Sequence, residues 1–140
     1  MIFDNSGFGR QVDILQRTMD ASLLRQNVIA NNIANANTPN FKRTEVNFES
    51  RLRYALDSQA QQPRFQEALT DEDHISFHQP LDYRSVRPRR VTDFLTTGQN
   101  NGNNVDIEVE SMNQLSNQLA YQMMTRSVAD AFQRLNLVLQ

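Results

Sequence analysis

Arg25-Gln-Asn-Val-Ile-Ala-Asn-Asn-Ile-Ala-Asn-Ala-Asn-Thr-Pro-Asn-Phe-Lys-Arg-Thr-Glu-Val-Asn-Phe48 contains a helix, its stop and the start of an extended strip. In its first half Val28, Ile29, Ala30, Ile33 and Ala34 fall three or four apart, the spacing of a helical face. Asn27, Asn31, Asn32, Asn35 and Asn37 separate them. An asparagine amide competes with the helix for nearby backbone groups, so a helix this rich in it is ordered chiefly by a neighbour. The second half explains the stop. Pro39 disfavours the α conformation at Thr38, and Asn40 stands where a turn commonly needs a positive φ. Beyond it Phe41, Val46 and Phe48 alternate with Lys42, Arg43, Thr44 and Glu45, an extended segment with apolar anchors.

Working outward, residues Met1 to Gly9 read as a loose lead-in with caps at Asp4, Asn5 and Ser6. From Arg10 a stripe of Val12, Leu15, Met19 and Leu23, widened by Ile14 and Leu24, carries the helix to about Ala36, roughly 40 Å at 1.5 Å per residue. One narrow stripe on so long a helix requires a partner helix. Residues 37–56 are expected as a turn and a weakly ordered segment, with Leu52, Tyr54 and Leu56 as apolar markers of a marginal helix. Residues 57–104 show no sustained period and read as an irregular, flexible connection. That connection ends in the turn-forming run Gly98-Gln-Asn-Asn-Gly-Asn-Asn104.

Residues 105–140 form the second terminal helix. Val105 to Glu110 alternates apolar and acidic residues and is expected as extended chain leading into it, with Glu108 and Glu110 complementing the helix dipole. Met112, Leu115 and Leu119 make one stripe; Tyr121, Met124, Val128, Phe132, Leu135 and Leu139 make a second, offset from the first. The fold class expected is mainly α: long N- and C-terminal helices (1–36 and 105–140) pairing as a coiled-coil bundle, with an irregular, partly disordered middle. From periodicity alone, two uses of that pair stay open. It closes an ordinary monomeric core, or it also packs against neighbouring subunits of a polymer, and Tyr121-Gln122-Met123-Met124 suits such a shared surface.

Composition removes other classes. At 140 residues and 39% hydrophobic content the chain can support one domain, but its apolar residues concentrate at the two ends. A net charge of −2 provides no basic field for nucleic acid or anionic lipid. There is no cysteine, hence no disulfide or thiol chemistry. The first residues lack the pattern of a cleavable secretory signal, and no run approaches the roughly 20 apolar residues of a membrane span. His74 and His78 share an i, i+4 spacing beside Asp71, Glu72 and Asp73. Pro80 follows and no third ligand has recognisable spacing, so the segment reads as a solvated acidic loop with no metal or cofactor. Arg84, Arg87, Arg89 and Arg90 form a basic cluster without aromatics to stack bases, more suited to an acidic neighbour than to nucleic acid. No catalytic constellation is present, and the chain is not expected to be an enzyme.

Ile-Ala-Asn-Asn-Ile-Ala-Asn-Ala-Asn-Thr-Pro-Asn-Phe-Lys (29–42) resembles the N-terminal signature of the flagellar rod and hook family of axial proteins. Gly102-Asn-Asn-Val-Asp-Ile-Glu108, with Leu115, Asn117, Leu119, Tyr121 and Gln122, resembles its C-terminal signature. The family usually has Gly where Asn40 stands, and Asn is the other residue that best tolerates a left-handed backbone. The resemblance implies a structural subunit of the proximal rod, polymerised into a helical tube that surrounds the export channel and transmits torque.

It also implies subunit interfaces at Leu15, Met19, Leu23, Ile29, Asn31, Asn32, Ile33 and Asn35 on the first helix. On the second they fall at Leu115, Leu119, Tyr121, Gln122, Met124, Val128, Phe132, Leu135 and Leu139, and the connecting turn is Thr38-Pro39-Asn40-Phe41. The partners implied are the protein itself, sister subunits of the FlgC, FlgF and FlgG types, the adapter FliE at the MS-ring junction, and the flagellar type III export gate. Phe48 and Leu52 fit the apolar pattern that the gate reads. The implied location is the periplasmic rod of the basal body, reached by export without a cleaved signal peptide. The alternatives are a sister proximal-rod subunit of FlgC type, or a soluble helical binding module or export chaperone that never polymerises.

Overall fold

The computed structural model describes residues 7–60 and 80–139. In order these are helix α1 (Gly7–Ala34), strand β1 (Thr44–Asn47), helix α2 (Glu49–Ala60), a 3-10 turn (Tyr83–Ser85), strand β2 (Arg89–Thr92) and helix α3 (Ile107–Leu139). The chain is mainly α and divides into two compact units, residues 1–46 with 90–140, and residues 47–89.

The first unit is built on α1 and α3. Phe8 meets Phe132 edge to face with ring centroids 5.8 Å apart. Ser22 meets Asn117, and Asn32 meets Glu110. Partner numbers fall along α3 as they rise along α1, so the helices run antiparallel. On α1 the buried residues are Ala21, Ser22, Val28, Ile29 and Asn32, a heptad-like seam whose small members admit a close approach. Among the described side chains of α3, Glu110 and Asn117, seven residues apart, are the buried ones, while Met112, Leu115, Leu119, Met123, Phe132, Leu137 and Val138 stay largely exposed. A single partner helix covers one side of α3 and leaves its apolar side open.

Two corrections concern helix starts and markers. The alternation from Val105 to Glu110 does not continue as extended chain: α3 begins at Ile107, because the Asp106 carboxylate accepts the amides of Glu108 (2.9 Å) and Val109 (3.3 Å) as an N-cap. Glu110 stands in the first turn, as expected of a partner of the helix dipole, and is fully buried there. β1 and β2 form a two-stranded sheet. The Thr44 and Thr92 hydroxyls lie 3.2 Å apart, and the Asp93 amide donates to the Arg43 carbonyl at 2.9 Å.

The second unit is α2 and the 3-10 turn. Phe48, Leu52 and Ala55 are buried at i, i+4 and i+7 along one helical face, with Tyr83 and Val86 also buried in this unit. The Ser58 hydroxyl accepts the Leu81 amide at 3.0 Å, and the Gln59 amide donates to the Leu81 carbonyl at 3.1 Å. Of the markers named for this helix, Leu52 is buried but Tyr54 is 68% exposed. Positions two apart lie on different sides of a helix, which is why that stripe looked weak.

A candidate assembly surface and the polar lock behind it

α1 ends where three segments of the first unit converge. The Asn103 side-chain amide donates to the carbonyls of Asn35 (2.9 Å), Ala36 (3.0 Å) and Thr38 (2.9 Å) around the helix end, where the Asn35 and Thr38 oxygens also accept the backbone amides of Thr38 (3.0 Å) and Phe41 (3.3 Å). Its own Oδ1 accepts the Val105 amide at 2.7 Å. Asn104 accepts the Arg43 amide at 2.6 Å and donates to the Asp93 carbonyl at 2.9 Å. Asn40 adopts a φ of 58°, the left-handed conformation expected of it, and donates its amide to the Asn101 carbonyl at 3.0 Å. Gly102 lies against it with a φ of 79°, where a Cβ would fall 2.7 Å from Asn40 Oδ1. The Asn-Thr-Pro-Asn turn is thus clasped to the Gly-Asn-Asn run: the two signature stretches are halves of one joint.

A second joint lies one turn into α1. Asn32 donates to the Thr44 carbonyl (2.8 Å) and accepts the Thr44 amide (3.1 Å), pairing with β1 as a strand would. The same amide nitrogen donates to Glu110 Oε2 at 2.9 Å. Arg43 Nε donates to Glu110 Oε1 at 2.6 Å, and its terminal nitrogen pairs with Glu45. Partial burial of Arg43 pulls its pKa down, but the hydrogen bond and charge of Glu110, followed by those of Glu45, hold it above the ordinary guanidinium value. The stabilisation that this cation gains is fully present below the unfolded guanidinium value and is lost only as pH rises through the higher folded one. Further along the seam Asn117 accepts the Ser22 hydroxyl at 2.8 Å and donates to the Ser22 carbonyl (3.0 Å) and to Gln26 Oε1 (3.1 Å).

A cleft of about 290 Å³ opens beside these groups, lined by Arg25, Ile29, Thr44, Glu110 and Asn117 among others. Its charged and amide groups are hydrogen-bonded to one another or to backbone, an arrangement that fastens two helices to a strand. Among the described residues no group of three His, Cys, Asp or Glu could hold a metal ion. His74 and His78, with the acidic run before them, lie outside the described residues.

The positions named as interface scatter over three environments. Ile29 and Asn32 are buried inside the chain, and Asn32 uses its amide there. Leu15, Met19, Ile33, Tyr121, Met124, Val128 and Leu135 are half-buried, and Asn35 turns its amide back onto the Asn31 carbonyl at 2.9 Å. Leu23, Asn31, Leu115, Leu119, Gln122 and Phe132 are exposed. The side chain of Leu139 lies outside the described set. In the turn, Thr38, Pro39 and Asn40 are exposed and Phe41 is half-buried. Phe48 and Leu52 are core residues of the second unit, so reading them as a recognition pattern requires an unfolded chain. Arg84 places its guanidinium 5.8 Å from the Tyr83 ring centroid, while Arg87, Arg89 and Arg90 are exposed.

Sequence reasoning missed Arg43, Asn103 and Asn104 as joint residues. The available signal was the paired amides just ahead of α3: Asn is the short side chain able to donate and accept at once.

Residues 13–42 match the family model described as flagella basal body rod protein. The chain is 42% identical to the flagellar basal body rod protein FlgB of Borreliella burgdorferi, covering 95% of this chain and 98% of that one. It is 38% identical to FlgB of Borrelia hermsii over the same shares, and 32% identical to FlgB of Bacillus subtilis over 94% of this chain and 95% of that one.

Proposed function

Because the chain belongs to the FlgB family of flagellar basal body rod proteins, we propose that it polymerises as a proximal-rod subunit into a helical tube that surrounds the export channel and transmits torque. The observation that carries this reading is the state of α3. Its apolar residues Met112, Leu115, Leu119 and Met123 remain 48–68% exposed after α1 has packed. Burying one such side chain completely contributes about 1.5–3 kcal/mol, so neighbouring subunits that cover the stripe supply a driving force the lone chain lacks. The buried amides and the Arg43–Glu110 pair would keep the angle between helices and strand constant from subunit to subunit.

The partners that go with this reading are further copies of the chain, rod subunits of the FlgC, FlgF and FlgG types, FliE at the MS-ring junction, and the type III export gate. Its location would be the periplasmic part of the basal body, reached without a cleaved signal. No helix among the described residues is long and apolar enough to cross a membrane. The full-length relatives carry the FlgB name, which favours this subunit type over its FlgC-type sister. No specific observation favours a soluble chaperone.

The test is deletion of the gene in its source bacterium, with electron microscopy of basal bodies and complementation by the intact chain. Membrane rings without a rod, restored by complementation, and label on the proximal rod of intact basal bodies are the expected results. Complete rods in the deletion strain would overturn the reading.

A further inference from the structure

The segment between β2 and the Gly98 turn displays two large apolar side chains to solvent: Phe94 is 74% exposed and Leu95 97%. Its backbone is nevertheless held at several points. Asp93 Oδ1 accepts the amides of Leu95 (3.0 Å) and Thr96 (3.2 Å), and Oδ2 accepts the Thr96 hydroxyl. Asn104 donates to the Asp93 carbonyl (2.9 Å) and the Thr96 hydroxyl (3.0 Å), and the Lys42 ammonium donates to the Thr96 carbonyl at 3.0 Å. The hydrogen bonds fix the loop with its apolar residues pointing outward. A loop ordered before binding loses less conformational entropy when it docks.

We infer that Phe94 and Leu95 form a preset knob whose occupant is the outer face of α3 in a second copy of this chain. The inference rests on the rod reading and names the contact within it. The receiving face consists of Met112, Leu115, Leu119 and Met123, spaced three or four apart as one exposed stripe. Methionines at both ends give it side chains that reshape around an inserted ring.

Charge is compatible with this pairing. Glu108, exposed and one turn ahead of Met112, lies on the same stripe; on the knob side the Lys42 ammonium holds the Thr96 carbonyl and the exposed Arg90 stands four residues before Phe94, against one carboxylate, Asp93, whose oxygens are turned onto Leu95 and Thr96. Knob and stripe are different surfaces of one unit, and both are open in the single chain. A contact between unlike patches is heterologous and repeats from copy to copy without closing a two-fold pair, as an open helical assembly needs.

The experiment places a photo-crosslinking benzoylphenylalanine at position 94 of a tagged full-length chain, in cells that also make an untagged copy of different mass. Basal bodies are purified, irradiated and mapped by mass spectrometry. Adducts to residues 108–123 of the untagged copy are expected. Phe94→Ser with Leu95→Ser should lower incorporation into basal bodies by on the order of tenfold. Glu108→Lys and Arg90→Glu should each lower it, and their combination should restore part of the loss. Adducts confined to another rod protein, adducts on another surface, no adduct in basal bodies that contain the labelled chain, or wild-type incorporation of the double serine variant would each overturn the knob. Absence of the unmodified tagged chain from purified basal bodies would instead overturn the rod reading itself.

Discussion

The side-chain amide of Asn103 donates to the Ala36 carbonyl at 3.0 Å, linking the end of α1 to a residue 67 positions later. With its bonds to Asn35 and Thr38, one side-chain amide shares its two hydrogens among three backbone oxygens around the helix end. Asn103→Ala leaves those oxygens without that donor, and Asn103→Asp adds a carboxylate facing them. Alanine should cost about 1–3 kcal/mol and aspartate more, read as a fall in the urea midpoint of the free chain by circular dichroism. Equal, small effects of both would mean that the amide does not hold the joint.

Arg43 and Glu110 make a second test, because Glu110 has 1% of its side chain exposed and Arg43 23%. Removing the cation strands a buried carboxylate, so Arg43→Ala should cost about 3–5 kcal/mol, held toward the lower figure by water reaching the site. Adding Glu110→Gln should recover part of the loss, since the Gln carbonyl can still accept from Asn32. Thermal unfolding of both single variants and the double variant closes the cycle, and strictly additive losses would refute the coupling.

Asp93 couples the loop at Leu95 and Thr96 to acid pH. The Thr96 hydroxyl first, then the Leu95 amide, hold its carboxyl below the usual 3.8, with Lys42 adding a smaller pull. The folded pKa lies below the unfolded one. The carboxylate's stabilisation is therefore complete above the unfolded value and is lost as pH falls through the folded one. Leu95 and Thr96 amides should stay protected from hydrogen exchange down to about pH 4 and lose protection below it, after correction for intrinsic exchange. Asp93→Ala should remove that protection at neutral pH.

Gly102 and Asn40 should behave as a coupled pair. Gly102→Ala places a methyl 2.7 Å from Asn40 Oδ1 at a φ of +79°, and the backbone strain alone is about 1–2 kcal/mol. Asn40→Gly removes the obstructing oxygen and leaves the left-handed turn to a residue that adopts it freely. It should therefore be mild alone and should rescue part of the Gly102→Ala loss, seen as non-additive melting temperatures.

Much of this architecture was legible where the determinants are local. Pro39 and Asn40 announced the end of α1, and the spacing of Val28, Ile29 and Ile33 announced its face. What escaped depends on residues far apart in sequence. Thr44 and Thr92 belong to four-residue strands too short to show a period, and they become a sheet only when the chain returns. Glu110 looked like any acid in a first helical turn until Arg43 and Asn32 came to meet it. The exposed stripe of α3 was visible as hydrophobic spacing, but spacing alone does not tell a face buried within the chain from one left open.

Asn31 offers the sharpest separation of folding from assembly. It is exposed on α1, unlike Asn32 one position later, whose amide is committed to Thr44 and Glu110. In an exposed helical position Asn→Ala improves helix propensity by roughly 0.5 kcal/mol, so Asn31→Ala should leave the free chain as stable or slightly more so. If the Asn31 amide bonds across a subunit seam, the same change removes a partner from a group buried only in the polymer, and rod formation should fall although the fold gains. Opposite signs in the two measurements, melting temperature up and swarming motility down, are expected only if the residue acts between subunits. Asn32→Ala should lower both. Unchanged motility with Asn31→Ala would remove Asn31 from the interface and leave the register of the rod to the apolar face of α3.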